Sequence, residues 1–148
     1  MKIEGSYELN ADVDHTWALL NDPGVLAGCI PGCKGLTPAG KNAYDAELSV
    51  GIGMIRGTYS GHVVIADQKP PKSYRLRVDG DRPGGFIKGD AVVTLESSKA
   101  GRTTVTVAGE GEVGGMLARV GQRLVSQASR TLMQQFFDCL AKKAKAGN

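Results

Sequence analysis

The sequence contains three cysteines and two histidines, the residues whose side chains are best suited to metal binding or nucleophilic attack. Cys29 and Cys33 are separated by three residues, and Cys139 lies near the other end of the chain. A zinc site needs about four nitrogen or sulfur ligands, and a redox pair typically has C-x-x-C spacing. His15 and His62 have no partner at ligand spacing. We therefore expect no metal site and interpret Cys29 and Cys33 as small buried residues in a tight turn.

Motifs for nucleophilic catalysis and phosphate binding are absent from the sequence. There is no Gly-x-Ser-x-Gly segment and no Cys/His signature, the arrangements that activate a nucleophile in many hydrolases. The glycines of residues 51–57 resemble a phosphate loop, but they join two predicted strands and precede no helix N-terminus. This segment is interpreted as a hairpin, and we expect neither a catalytic residue nor a cofactor.

Tyrosines supply polar groups that could orient a ligand in an apolar cavity. Strand alternation places Tyr7, Tyr44, Tyr59 and Tyr74 on one predicted inward face. A buried hydroxyl needs a hydrogen-bond partner, and the sequence leaves open whether that partner is a ligand oxygen or a backbone carbonyl. Arg56 lies in an otherwise apolar stretch, where it would either meet a polar head group or point outward.

The elements that position these side chains begin with a strand and two short helices. Polar residues alternate with apolar or small ones over 2–10, which predicts a half-buried strand. Asp12 is expected to cap a helix over 13–20, and Asp22 followed by Pro23 begins a second helix that ends at Gly28. Residues 29–33 then form a turn, because Pro and Gly both interrupt regular structure there.

The remainder of the chain predicts strands followed by one long helix. Alternation from residue 34 to about residue 110 predicts about six antiparallel strands joined by short turns. From Val113 to Lys145 the pattern becomes helical and predicts seven or more turns. One row of this helix comprises Leu117, Val120, Leu124, Ala128, Thr131 and Gln135. The fold class is therefore α+β, with a curved seven-stranded antiparallel sheet gripping the long C-terminal helix.

Small residues on the inward face predict unfilled space between the sheet and the helix. They are Gly5, Ala46, Gly57, Gly61, Gly89, Ala91 and Gly109. A sheet that curves around one helix would then enclose an apolar cavity, with the two short helices at its entrance. The alternative is that these glycines bend the strands around a dry core.

Composition narrows the classes of protein further. The chain has 148 residues and a net charge of +3. It fits one domain over residues 1–148, because single domains run to about 100–200 residues. No apolar run approaches the ~20 residues that span a bilayer, and the N-terminus does not resemble a signal peptide. The odd number of cysteines fits a reducing, cytoplasmic location without a disulfide framework. Basic residues concentrate after Val113 but without interleaved aromatics, which argues against nucleic-acid binding.

Short motifs along nearly the whole chain resemble one known family. They are Asp22-Pro23-Gly24-Val25-Leu26, Cys29-Ile30-Pro31-Gly32-Cys33, the glycine-rich segment from Val50 to Gly61, Gly85-Phe86-Ile87-Lys88-Gly89, and Val113-Gly114-Gly115-Met116-Leu117-Ala118. In these motifs the chain is similar to the CoxG family of carbon monoxide dehydrogenase subunits, and more broadly to the START-like (SRPBCC) helix-grip superfamily.

This resemblance implies a non-enzymatic accessory protein of a molybdenum-containing CO dehydrogenase or a related hydroxylase. It implies a hydrophobic small-molecule ligand, such as a quinone or an isoprenoid lipid, and work at the inner membrane face. A few C-terminal lysines would support only transient contact with anionic lipid, at about 1 kcal/mol each. Two alternatives stay open: a cyclase- or aromatase-like enzyme that uses the same cavity, and an adaptor that docks the partner enzyme through the basic C-terminal helix.

The expected ligand contacts fall into three groups. Leu26 and Ile30 would flank the entrance, and Tyr44, Arg56 and Tyr74 would meet a polar head group. The apolar lining would comprise Leu48, Ile55, Tyr59, Leu76, Phe86, Val93, Met116, Leu117, Val120 and Leu124. Burying one methylene contributes about 0.8 kcal/mol, so a long tail would bind without specific polar contacts.

Overall fold

The computed structural model describes residues 1–52 and 55–146. In chain order the elements are β1 (Lys2–Leu9), α1 (Val13–Leu20), α2 (Pro23–Cys29), β2 (Cys33–Pro38), β3 (Ala43–Ile52), β4 (Ile55–Lys69), β5 (Ser73–Arg82), β6 (Gly85–Ser97), β7 (Thr103–Gly115), a 3-10 helix (Met116–Arg119) and α3 (Gln122–Ala146). The predicted hairpin over 51–57 includes Gly53 and Met54, which lie outside the described residues.

The strands form one antiparallel sheet in the order β1-β7-β6-β5-β4-β3-β2. Strands β2 to β7 follow each other as a meander, and β1 pairs with β7 at the far edge. This confirms the predicted seven-stranded sheet with a long C-terminal helix. Along the strands, inward-facing residues alternate with polar outward-facing residues, because successive side chains of a strand point to opposite faces.

Both short helices begin as the sequence predicts. The Asp12 carboxylate accepts a hydrogen bond from the His15 backbone N–H at 2.8 Å, and the Asp22 carboxylate accepts one from that of Gly24 at 2.8 Å. These bonds satisfy backbone donors that have no partner within the first turn of a helix. Helix α2 continues to Cys29, past the predicted end at Gly28.

The long helix begins later than predicted. Strand β7 continues through Val113 to Gly115 because it stays paired with β6, and Gly121, with φ of +97°, separates the 3-10 helix from α3. Glycine adopts this left-handed conformation without steric cost. Thr131 and Gln135, which the sequence placed on an apolar row, are exposed. The buried row of α3 consists instead of Val125, Ala128, Phe137, Leu140 and Ala144.

Buried side chains form two separate clusters at opposite ends of the sheet. The first core cluster lies beneath α1, α2 and the C-terminal half of α3, and it includes Leu9, Leu20, Val105 and Leu140. The second core cluster lies where α3 begins, and its buried members are Ile55, Tyr59, Leu117, Val125 and Ala128. Helix α3 crosses the inward face from the second cluster to the first.

Candidate functional site

The middle of the inward face belongs to neither cluster. We call Gly61, Val63, Val78, Gly80 and Gly89 the central band. On each strand they lie between residues of the first cluster and residues at the other end of the sheet, where the second cluster lies. On β6, for example, Gly89 separates Ile87 from Ala91. Val63 and Val78 face each other across β4 and β5 and are only half-buried. The inward face is therefore incompletely covered at its centre.

Two glycines of the central band, Gly80 and Gly89, leave open volume above the sheet. A Cβ atom placed on Gly80 would have only atoms of Ile87 within 4 Å, and one placed on Gly89 would have only the Ile3 side chain at 3.7 Å. Ile87 is on β6 and Ile3 is on β1, so both neighbours belong to the sheet itself. No atom of α3 comes within 4 Å of either position. A side chain added at Gly80 would thus have room before it reached the helix.

Eleven of the fifteen predicted ligand contacts lie in or against the two clusters. The first cluster holds Leu26, Tyr74 and Val93, with Ile30, Tyr44 and Leu76 packed against it. The second holds Ile55, Tyr59 and Leu117, with Leu48 and Val120 packed against it. The structure thus brings these residues to the inward face but divides them between its two ends.

Four predicted contacts lie elsewhere, which corrects the sequence interpretation. Arg56 and Phe86 point outward, because each follows an inward-facing residue on its strand. The Phe86 ring covers Gly114 on β7, and Lys88 Nζ lies 5.4 Å from the centre of that ring. Met116 is 65% exposed and Leu124 is 46% exposed. The later start of α3 rotates Leu124 away from the inward face.

The predicted entrance at the short helices is packed with side chains. Leu26 is 9% exposed and belongs to the first cluster. Cys29 on α2 and Cys139 on α3 form a disulfide with their Cα atoms 5.4 Å apart. The prediction that the cysteines form no disulfide was therefore wrong. Spacing could not reveal this bond, because it joins residues 110 positions apart.

Tyrosines of the inward face differ in their surroundings. Tyr7 stacks on Phe137 with ring centres 4.1 Å apart, and burial together with the negative charge of Asp138 raises the pKa of its phenol. The Tyr74 ring meets Trp17 edge-on at 5.5 Å, and burial raises its pKa strongly. Tyr59 is 3% exposed, and its hydroxyl has no hydrogen-bond partner among the described residues.

One charged side chain on the inward face was not predicted from the sequence. Arg82 ends β5 at a position that faces inward, is half-buried, and lies with its guanidinium carbon 5.6 Å from the centre of the Tyr59 ring. Its Nη1 donates a hydrogen bond to the Arg56 carbonyl at 2.6 Å. Alternation along β5 could have identified it, because Arg82 is an even number of residues from Tyr74 and Leu76 and therefore faces the same side of the sheet.

A groove of about 810 Å³ lies on the opposite, outward face of the sheet. Polar side chains line much of it, including Asp45, His62, Asp79 and Lys88. His62 Nδ1 is 2.7 Å from Asp45 Oδ1, so the histidine has a neighbour across β3 and β4. Among the described residues, no three His, Cys, Asp or Glu side chains come together as metal ligands.

The sheet, the short helices and α3 together define the class of protein. A START superfamily protein from Mycobacterium smegmatis has this fold with a TM-score of 0.80 at 10% identity, and the match covers 99% of each chain. The Zhui aromatase/cyclase from Streptomyces sp. R1128 has it with a TM-score of 0.67 at 14% identity, over 98% of this chain and 93% of its own. The fold is the START-like helix-grip fold.

Sequence similarity is closer to one family within that class. A conserved protein from Geobacillus kaustophilus is 34% identical over 99% of this chain and 96% of its own, with a TM-score of 0.95. The family model for CoxG, a carbon monoxide dehydrogenase subunit, matches residues 5–145, and the chain belongs to that family. No curated protein matches this sequence. None of the described helices is both long and apolar enough to cross a membrane.

Proposed function

We propose that this protein binds a hydrophobic small molecule between the sheet and α3 and carries it as an accessory to a molybdenum-containing hydroxylase. Family membership and fold support the accessory, ligand-binding character. A quinone-like molecule or an isoprenoid lipid is the proposed ligand, because either provides an apolar body that an apolar site can hold.

The observation that carries this proposal is the open volume above the central band. Within 4 Å, a Cβ atom on Gly80 would meet only Ile87. Protein interiors are close-packed, so a position on an inward face with no opposing atoms is unusual. A ligand tail lying across Gly80 and Gly89 would supply the missing contacts with both the sheet and α3.

The proposed entrance is at the second core cluster, where α3 begins. Met116 and Leu124 are large apolar residues exposed there. Six inward-facing or flanking apolar residues around this cluster are only half-buried, namely Leu48, Val50, Ile52, Ile87, Val113 and Val120. The opposite end is covered by two capped helices and a disulfide, so a ligand would enter more easily here.

Filling the central band tests the proposal. Gly80 has no positive φ, so Gly80→Leu places a side chain above the sheet without backbone strain. We expect this variant to fold and to lose at least tenfold in affinity for an alkyl-naphthoquinone probe, measured by native mass spectrometry. The matched control is Gly51→Leu on β3, where a Cβ atom would meet nothing within 4 Å on the exposed surface. Equal affinity of the two folded variants would contradict the proposal.

A cyclase-like enzyme remains the second candidate, because the inward face is not entirely apolar. Arg82 places a guanidinium beside Tyr59, and a cation of this kind can polarise a carbonyl group. Native mass spectrometry with a poly-ketone probe distinguishes the two functions. A carrier releases this probe with its mass unchanged, whereas a cyclase that forms a C–C bond and eliminates water releases a product lighter by one water molecule.

A further inference from the structure

The hydroxyl of Tyr59 is a buried polar group without a partner. The side chain is 3% exposed, the hydroxyl oxygen is inaccessible to water, and no described residue accepts or donates a hydrogen bond to it. Buried polar groups in proteins are nearly always hydrogen-bonded, and an unsatisfied one costs about 1–3 kcal/mol. Phenylalanine would fill the same volume without that cost, so the hydroxyl gives the ligand-free protein no evident advantage.

Apolar residues of the second cluster and one cation lie next to Tyr59. Tyr59 belongs to a cluster with Leu117, Val125 and Ala128, and it pairs with Leu48 across β3 and β4. The cation is Arg82, whose guanidinium lies over the Tyr59 ring. A guanidinium can only donate hydrogen bonds, and no group of the described residues accepts one from the Tyr59 hydroxyl.

The Arg82 guanidinium has N–H donors that form no hydrogen bond with the described residues. Nη1 is bonded to the Arg56 carbonyl, but a guanidinium carries five N–H donors. No carboxylate of the described residues lies within 4 Å of it. A Cβ atom on Gly57 would lie 2.7 Å from Nη1, so the glycine at this position makes room for the guanidinium. Gly57 also has φ of +146°, which disfavours any other residue.

We propose that Tyr59 and Arg82 together bind an acceptor oxygen of the ligand. The ligand would therefore have an apolar body lying along the central band and a carbonyl or similar oxygen at the end where α3 begins. This inference rests on the proposed function, and it replaces Arg56 with Arg82 as the cation that meets the polar group. Tyr59 acts as a specificity residue, since its hydroxyl distinguishes an oxygenated ligand from a pure hydrocarbon.

The test compares two probes that differ only in oxygen: an alkyl-naphthoquinone and the alkylnaphthalene of the same chain length. We expect Tyr59→Phe to weaken quinone binding about tenfold, which corresponds to one lost hydrogen bond of about 1.4 kcal/mol, and to leave naphthalene binding unchanged. Arg82→Gln should also weaken quinone binding. Tyr7→Phe, at a half-buried tyrosine that stacks on Phe137 in the first cluster, is the matched control and should change neither affinity.

The outcomes separate this inference from the carrier proposal. If both probes bind the unmodified protein but Tyr59→Phe weakens them equally or not at all, oxygen recognition is overturned and the carrier proposal stands. If neither probe binds, the carrier proposal fails and the inference fails with it. A selective loss of the quinone supports both. The ligand-free Tyr59→Phe protein should also be at least as stable as the unmodified one, because an unpaired hydroxyl is removed.

Discussion

The two ends of the inward face are built differently. At the first core cluster, Leu9, Val105 and Leu140 are at most 1% exposed, and two capped helices cover them. Both clusters have half-buried apolar residues at their rims, but two large apolar side chains, those of Met116 and Leu124, are exposed beside the second core cluster. One end is completed by the protein's own side chains, whereas the other is left partly open.

The contrast extends to backbone and covalent structure. At the first cluster, α2 is joined to α3 by the Cys29–Cys139 disulfide, and the Phe137 ring packs against the rings of both Tyr7 and Phe136. At the second cluster, the chain passes through a 3-10 helix that has no side-chain cap. Regions with few buried contacts open at lower free energy than the core, so motion that admits a ligand is expected at the second cluster.

Reducing the disulfide should have the largest effect on stability. A cross-link that closes a loop of about 100 residues contributes up to about 4.7 kcal/mol in the chain-entropy model. We expect reductant to lower the thermal midpoint of the intact protein by up to about 10–20 °C, given about 2–4 °C per kcal/mol for a chain of this size. Differential scanning calorimetry with and without reductant measures the shift.

Cys33 provides the control for that experiment. Its thiol is free and lies outside the cross-link, so Cys33→Ser should keep the full reductant-dependent shift. Cys29→Ala combined with Cys139→Ala should remove the shift. A reduced protein as stable as the oxidised one would show that the first cluster does not depend on the disulfide.

Two leucines on α3 allow the same substitution to be made at both ends. Leu140 is 0% exposed in the first cluster, and Leu124 is 46% exposed beside the second. Leu140→Ala should destabilise the protein by about 2–5 kcal/mol, because it leaves a cavity. Leu124→Ala should cost less than about 1 kcal/mol, since little buried contact is lost. Urea unfolding of the ligand-free protein measures both, and equal losses would contradict the difference between the ends.

Local patterns were sufficient to predict the sheet and the short helices. Alternation decides which face a strand residue occupies, and Asp12 and Asp22 begin helices through contacts only two or three residues away. The long helix was misplaced because its phase depends on Gly121, and a glycine in a sequence does not reveal whether the chain turns there. Leu124 was consequently assigned to the wrong face.

The candidate site depends on contacts that no local pattern contains. All four tyrosines occupy inward-facing positions on their strands. Only packing distinguishes Tyr74, which lies beside Trp17, from Tyr59, whose hydroxyl has no hydrogen-bond partner among the described residues. Arg82 becomes relevant only because β4 and β5 pair so that its guanidinium reaches the Tyr59 ring. Tyr59 and Arg82 are 23 positions apart, and Trp17 and Tyr74 are 57 positions apart, so the sequence showed only the residue types.

The smallest expected effect concerns the side-chain caps of the two short helices at the first cluster. Asp22 accepts hydrogen bonds from the backbone N–H groups of Gly24 at 2.8 Å and Val25 at 3.4 Å. Asp22→Ala should cost about 1 kcal/mol, and Asp22→Asn should recover most of it, because asparagine caps helices equally well. Hydrogen exchange should show faster exchange at Gly24, with no change in the 3-10 helix. If the 3-10 helix loosened as much as α2, the two ends would be one cooperative unit, and ligand entry would have to disturb the packed end as well.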